Sequence, residues 1–273
     1  MRSERLILLI QASLAGMAAG CSIANGWFLL LLLALSFLWS SSRYCFCSFL
    51  WGFFTLLISH SWLLDLHPLT WIGVPSWLSL PLVILILLIC SVFSGILVSF
   101  WSFCGNYFSR NIFKKSDQWA HFPFALSMAC CWGLTEPALA RTPLFWIGLG
   151  ASPFPNDILL GGLARWFGAG GLATLQLLLA WWIWRCFVSW RKGFNFIRCV
   201  SFGLAFLFLA HLLGAFLLRP LKSSGSLDLA IWQTSIPIRT KFSEDQQTLI
   251  PNAFEKALFE SKKLGASLLV APE

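Results

Sequence analysis

Apolar residues follow one another along most of this chain in runs long enough to cross a lipid bilayer, which takes roughly 18 to 20 residues as a helix. Seven such runs can be read: Leu6 to Ile23, Trp27 to Ser41, Tyr44 to Leu64, Trp77 to Cys104, Ala120 to Ala138, Leu163 to Phe187, and Phe196 to Leu218. Each predicts a transmembrane helix. Only Ala24 and the turn-forming Asn25 and Gly26 separate the first two, so they should form a tight helical hairpin. The stretch Pro143 to Asp157, with Pro153 and Pro155, predicts a re-entrant or surface-lying loop. No internal repeat is evident.

The pattern changes abruptly at Arg219. Lys222-Ser-Ser-Gly-Ser226 reads as a polar linker, Leu227 to Trp232 as a short strand, and Pro237 to Asp245 as a loop. Over Gln246 to Leu264 the apolar positions Ile250, Phe254, Ala257 and Leu258 recur at helical spacing, which predicts an amphipathic helix. Ser243 and Gln246 would form its capping box, and Pro251 would fall in its first turn. Ser267 to Ala271 predicts a second strand. The division expected is therefore a helical membrane domain over 1–218, a linker over 219–226, and the β-α-β opening of an α/β domain over 227–273. One helix and two strands cannot cover both faces of a parallel sheet, so the tail reads as the truncated start of a larger domain.

Composition agrees with lipid as the main solvent. Apolar residues make up 58% of the 273 and charged residues 11%, with 26 Phe and 16 Trp, and the mean hydropathy is +0.77. That excludes disorder and an ordinary water-soluble enzyme. The net charge of +8 would suit nucleic acid if it were clustered on one surface. Instead Arg2, Arg5, Arg43, Arg110, Lys114, Lys115, Arg185, Arg191, Lys192 and Arg198 fall in alternate gaps between apolar runs. Under the positive-inside rule those gaps are cytoplasmic, the N-terminus is cytoplasmic, and everything after Leu218 is extracytoplasmic. Nucleic acid is thus not an expected partner; membrane lipid is.

All nine cysteines lie in the apolar part and none forms a C-x-x-C pair, so they are expected to pack rather than react. The histidines lack ligand spacing as well: His60 and His67 could share a helix face, but Pro68 would end that helix. No metal or other cofactor is expected. Arg2, Arg5 and Ala18-Ala19-Gly20-Cys21 together look like a lipoprotein signal peptide. The next apolar run starts so soon, however, that a first membrane helix with a close-packing Gly16-x-x-x-Gly20 face is the better reading. Among polar groups inside the apolar runs, Glu136, Gln11, His121 and His211 are candidates for function, Glu136 first, because such groups are costly in hydrocarbon.

One motif carries specific chemistry. Leu268-Leu-Val-Ala-Pro-Glu273 follows Leu229-Ala-Ile-Trp-Gln233 by about 40 residues, and puts a carboxylate at the carboxyl end of a strand, where open α/β sheets hold their ligands. The pair resembles the opening of a nitrilase-type domain. Three membrane segments add to the likeness: Trp132-Gly-Leu-Thr-Glu136, Pro143-Leu-Phe-Trp-Ile-Gly-Leu-Gly150, and Leu163-Ala-Arg-Trp-Phe-Gly-Ala-Gly-Gly171. With a nitrilase-like start behind a helical membrane domain, the chain resembles the apolipoprotein N-acyltransferase family. It departs from the family where a glutamate precedes Trp-Leu-Arg, here Glu136-Pro-Ala-Leu139 with Arg141 nearby.

The resemblance implies a Glu-Lys-Cys triad, with Glu273 as general base for the thiol. The thiolate attacks a phospholipid ester to form a thioester, and the lysine helps to stabilise the oxyanion. The acyl group then passes to the N-terminal amine of an apolipoprotein's diacylglyceryl-cysteine. It further implies a monomer in the bacterial inner membrane. The triad's Lys and Cys would come after Glu273, so these 273 residues read as an N-terminal fragment that is inactive alone. Two other readings compete. One is a non-enzymatic transporter subunit or assembly partner with a short extracytoplasmic tail, which would favour broken helices and repeats. The other is a membrane hydrolase using Ser59 or Ser61 with His60 and Asp65, weakened because neighbours on a helix do not face one another.

Overall fold

Gly26, with φ of +72°, turns the chain between α1 (Arg2–Asn25) and α2 (Phe28–Ser41), closing the expected hairpin. α3 (Cys45–Ser59) then packs along α1. The small residues decide that contact. A Cβ on Gly16 would meet the Trp51 carbonyl oxygen at 2.5 Å, and one on Gly20 the Thr55 carbonyl at 2.6 Å. Thr55 Oγ1 adds an interhelical bond, donating to the Gly16 carbonyl at 3.2 Å. Without a hydrophobic drive between helices in lipid, such close backbone approach and hydrogen bonding hold them together.

The computed structural model describes residues 2–111, 118–142, 148–151, 156–193, 196–219, 225–236 and 244–271. After α3 come two 3₁₀ turns, Ser61–Leu66 and Leu69–Ile72, then α4 (Ser76–Asn111), α5 (Phe122–Leu139), the single turn α6 (Ile158–Gly161), α7 (Ala164–Lys192) and α8 (Phe196–Leu217). The helix expected over Tyr44 to Leu64 thus stops five residues early. Ser59, His60 and Ser61 offer the backbone competing side-chain hydrogen bonds, and His60 leaves the helical region at φ −103°, ψ 14°. His67 accordingly shares no helix with His60.

Among the described residues, four helices are long and apolar enough to cross a membrane: Arg5–Asn25, Ser76–Arg110, Ala164–Lys192 and Phe196–Leu217. α2 and α3 are apolar but shorter, about 21 and 22 Å at 1.5 Å per residue against a core of about 30 Å. Length alone therefore accounts for four of the seven expected crossings among the described residues. α2 instead packs on α1, α3 and α7, deep in the bundle. The outer faces are apolar, with Leu29, Leu134 and Ile197 more than three-quarters exposed. Such surface is a liability in water and normal against lipid.

Tryptophan forms the centre of the bundle. Trp39, 1% exposed, meets Trp101 and Trp119 edge-on with ring centroids 5.3 and 5.8 Å away. Each buried indole also needs an acceptor, since no water competes in this interior. Trp39 Nε1 donates to the Leu177 carbonyl at 2.8 Å, Trp51 to Ala34 at 3.1 Å and Trp101 to Met128 at 2.9 Å, tying α2 to α7, α3 to α2 and α4 to α5. Trp39→Ala is expected to cost about 3 to 5 kcal/mol, from the cavity and the orphaned carbonyl together. Thermal unfolding in detergent, followed by circular dichroism, measures it.

The chain divides into two compact units: 1–61 with 85–219, and 62–84 with 220–273. The second contains β1 (Leu229–Ile231), α9 (Glu244–Lys263) and β2 (Leu268–Val270). The strands pair in parallel, Leu229 with Leu268 and Ile231 with Val270, so the expected β-α-β connection is present. Trp232, just past β1, packs on Phe254 of α9 with centroids 5.7 Å apart. A Schellman motif ends α9: Gly265 is left-handed at φ +78°, its N–H bonds Lys262 O, and Ala266 N–H bonds Ser261 O. The helix starts at Glu244, so Pro251 lies within it rather than in the first turn. Pro251 is exposed on the helix, where its missing N–H leaves one turn without its i−4 bond. Ser243 of the expected capping box lies outside the described residues.

Candidate functional site

A carboxylate buried among membrane helices is the most unusual polar feature of the first unit. Glu136 lies in the last turn of α5 and is 3% exposed. Its Oε1 accepts from Trp132 Nε1 at 3.0 Å and from the Leu149 N–H at 2.7 Å, and its Oε2 accepts from the Gly150 N–H at 3.2 Å. Trp132 precedes it by one turn, so i, i+4 spacing supplies the first contact. The other two come from a 3₁₀ turn, Leu149–Ala151, whose Leu149 and Gly150 are buried. This part of the loop expected to be re-entrant or surface-lying is thus folded into the bundle.

Gln176 of α7 completes the arrangement from the opposite side. It is fully buried, and its Nε2 donates to the Leu149 carbonyl at 2.6 Å. Glycines make room for the turn. A Cβ on Gly148 would come within 2.8 Å of Glu136 Oε2, and one on Gly150 would overlap the backbone of Ala169. Ala169 in turn follows Gly168, which breaks the helical path of α7 with φ 62° and ψ −171°. α5 and α7 touch backbone to backbone beside it, each of Gly133 and Gly170 facing the other's carbonyl. Thr174 Oγ1 bridges the same crossing to the Ala129 carbonyl at 3.3 Å.

Glu136 also borders a cavity of about 500 Å³ between α4 and α5, walled by Val98, Trp101, Met128 and Trp132. A larger one of about 790 Å³ lies between α2, α7 and α8 and has a polar end. There His211 Nε2 meets Asp157 Oδ2 at 2.9 Å, while Asp157 Oδ1 caps α6 through the Leu160 N–H. Both cavities are walled mainly by apolar side chains. That lining suits hydrocarbon rather than a charged small molecule.

The other expected residues are dispersed. Glu273 lies outside the described residues; β2 leads toward it and ends at Val270. Gln233 is exposed just beyond β1. Gln11 is exposed on α1, and His121 is exposed at the N-cap of α5. Ser59 Oγ and His60 Nδ1 do meet, at 3.0 Å, because His60 has already left the helix, but both are buried and Asp65 belongs to the other compact unit. Of the nine cysteines only Cys47 is buried and Cys131 is exposed, so most pack on half-open helix faces rather than in the core. Cys186 and Cys199 approach to 3.3 Å between sulfurs. Gln176 was not among the expected site residues, although an amide inside an apolar run is itself a signal of function or pairing.

No protein-family model matches the chain. Three relatives named apolipoprotein N-acyltransferase align with nearly all of it. The protein from Prochlorococcus marinus strain MIT 9313 is 46% identical over 273 residues, which are 100% of this chain and 55% of that protein. That from Prochlorococcus marinus strain SARG is 41% identical over 266 residues, 97% of this chain and 53% of the relative. That from Parasynechococcus marenigrum strain WH8102 is 42% identical over 265 residues, again 97% of this chain and 55% of the relative. The chain therefore spans about half the length of the curated relatives it matches. With apolar helices of crossing length in the chain and identity maintained across nearly all of it, it belongs to the apolipoprotein N-acyltransferase family.

Proposed function

We propose that the protein containing this chain N-acylates lipoproteins: a cysteine thiol takes a fatty acyl group from a phospholipid as a thioester, releasing the lysophospholipid, and gives it up to the N-terminal amine of an apolipoprotein's diacylglyceryl-cysteine, forming an amide and freeing the thiol. The similarity to proteins of that name over nearly all of the chain carries the reading. Membrane helices suit a lipid donor, and the apolar cavity beside Glu136 suits an acyl chain. In this reading the parallel β-α-β unit is the start of the nitrilase-like domain and Glu273, three residues after β2 in the sequence, is its general base. The lysine and cysteine of the triad have no assigned counterparts among these 273 residues. The protein acts as a monomer in the bacterial inner membrane and needs no cofactor.

Orientation follows from the arginines and lysines, which put the N-terminus in the cytoplasm and the tail outside. Alkaline phosphatase fused after Leu217 is then expected to be active, and the same enzyme fused after Arg43 inactive. The opposite pattern would refute the orientation.

The reading is tested by expressing the open reading frame that encodes this chain in a bacterium depleted of its own N-acyltransferase. Growth and triacylated lipoproteins are the expected result. Continued accumulation of the diacyl form, with the protein present in the membrane, would overturn it.

A further inference from the structure

The three membrane segments that carry the sequence likeness, 132–136, 143–150 and 163–171, converge in space wherever they are described. Trp132 and Glu136 come from the first, Gly148 to Gly150 from the second, and Ala169 and Gly170 from the third. Glu136 stands at their meeting point. Its two oxygens face three N–H donors, and the described contacts leave it acting only as an acceptor. Gln176 holds the same turn by its one remaining kind of handle, donating to the Leu149 carbonyl. The turn is thus gripped at its amides from α5 and at a carbonyl from α7.

We propose that Glu136 is a positioning residue, whose carboxylate locks the 148–151 turn against α5 and α7 and thereby fixes that turn for acyl transfer. The second half of this statement rests on the function proposed above. Two features argue that the contact is built rather than incidental. First, a carboxylate is the one side chain of this length that can accept from all three donors; an amide would turn an N–H₂ toward a backbone or indole N–H. Second, the glycines at 148 and 150 leave space only for this approach, since a side chain at either would strike Glu136 or Ala169. In hydrocarbon no water can replace the lost acceptor, so the released amides would draw the turn out toward the headgroups.

The test uses hydrogen exchange and kinetics on the same detergent-purified protein. In the wild type, the Leu149 and Gly150 amides are expected to be protected. In Glu136→Gln the amide left facing the new N–H₂ is expected to exchange at least about 100-fold faster, the equivalent of losing a buried charge-assisted hydrogen bond. Turnover at saturating phospholipid is expected to fall roughly 10- to 100-fold, as for a misplacement on the order of 1 Å away from the chemistry, with KM for phospholipid little changed. Gln176→Leu removes the bond to the Leu149 carbonyl while leaving Glu136 in place, and serves as the second variant, with a smaller change in the same direction in both readouts. Unchanged amide protection in both variants would overturn the lock. Protection lost with turnover unchanged would overturn the positioning role and leave the proposed function standing. A wild-type protein that transfers no acyl group would overturn the proposed function and with it the positioning role, while exchange would still decide the lock.

Discussion

Gly133→Leu is expected to prevent the membrane domain from folding, and Gly133→Ala to destabilise it by at least about 3 kcal/mol. The reason is local and steric. At Gly133 the backbones of α5 and α7 are in direct contact, and any Cβ there would overlap the Gly170 carbonyl and Thr174 Oγ1. Overpacking in a tolerant core costs about 1 to 3 kcal/mol because side chains can shift. Here the obstacle is main chain, which cannot rotate away. Moving α7 off α5 would also break the Thr174 bond to Ala129 and pull Gln176 from Leu149. Fluorescence-detected gel filtration of detergent extracts separates the outcomes: an aggregated Leu variant and a monodisperse Ala variant with lowered Tm are expected. A Leu variant that runs and melts like the wild type would mean that the two helices do not meet there.

The largest effect on activity is expected at Glu273. If it is the general base of a thiol nucleophile, Glu273→Gln removes proton abstraction while nearly preserving shape. Such a loss typically costs about 10² to 10⁴ in rate. Because the residue comes after β2 in the sequence, outside every apolar run of crossing length, the variant should insert and accumulate normally. Acyl transfer by membranes containing each form, followed by mass spectrometry of the acceptor, measures the effect. Equal transfer by both forms would remove Glu273 from the mechanism.

What was legible in the sequence depended on how local its cause is. α8 was expected over Phe196 to Leu218 and runs from Phe196 to Leu217, because a long uninterrupted apolar run in a chain without water has few alternatives to helix. The Gly16-x-x-x-Gly20 face was legible as a packing surface, but its partner α3 was not, since nothing in a spacing names the neighbour. α3 itself was read too long because the hydropathy of Trp62-Leu63-Leu64 outweighed the polar Ser59-His60-Ser61 that ends the helix. Glu136 stood out as costly in hydrocarbon, yet its true partners could not be read. Two of the three are backbone amides 13 and 14 residues away, and an amide has no signature in a sequence. Gln176, 27 residues from the carbonyl it bonds, was passed over inside a strongly apolar run for the same reason. The parallel pairing of β1 with β2 was legible because a strand, a helix and a strand of these lengths return in only one common way.

The central claim is acyl transfer to a lipoprotein amine, and reconstitution tests it most directly. The purified protein, in vesicles holding a phospholipid with an isotopically labelled acyl chain, is given a diacylglyceryl-cysteine peptide with a free N-terminus. The account predicts a peptide heavier by one labelled acyl group, attached through an amide at its N-terminus. A folded, membrane-inserted protein that leaves the peptide's mass unchanged, or that acylates it elsewhere than on that amine, would contradict it.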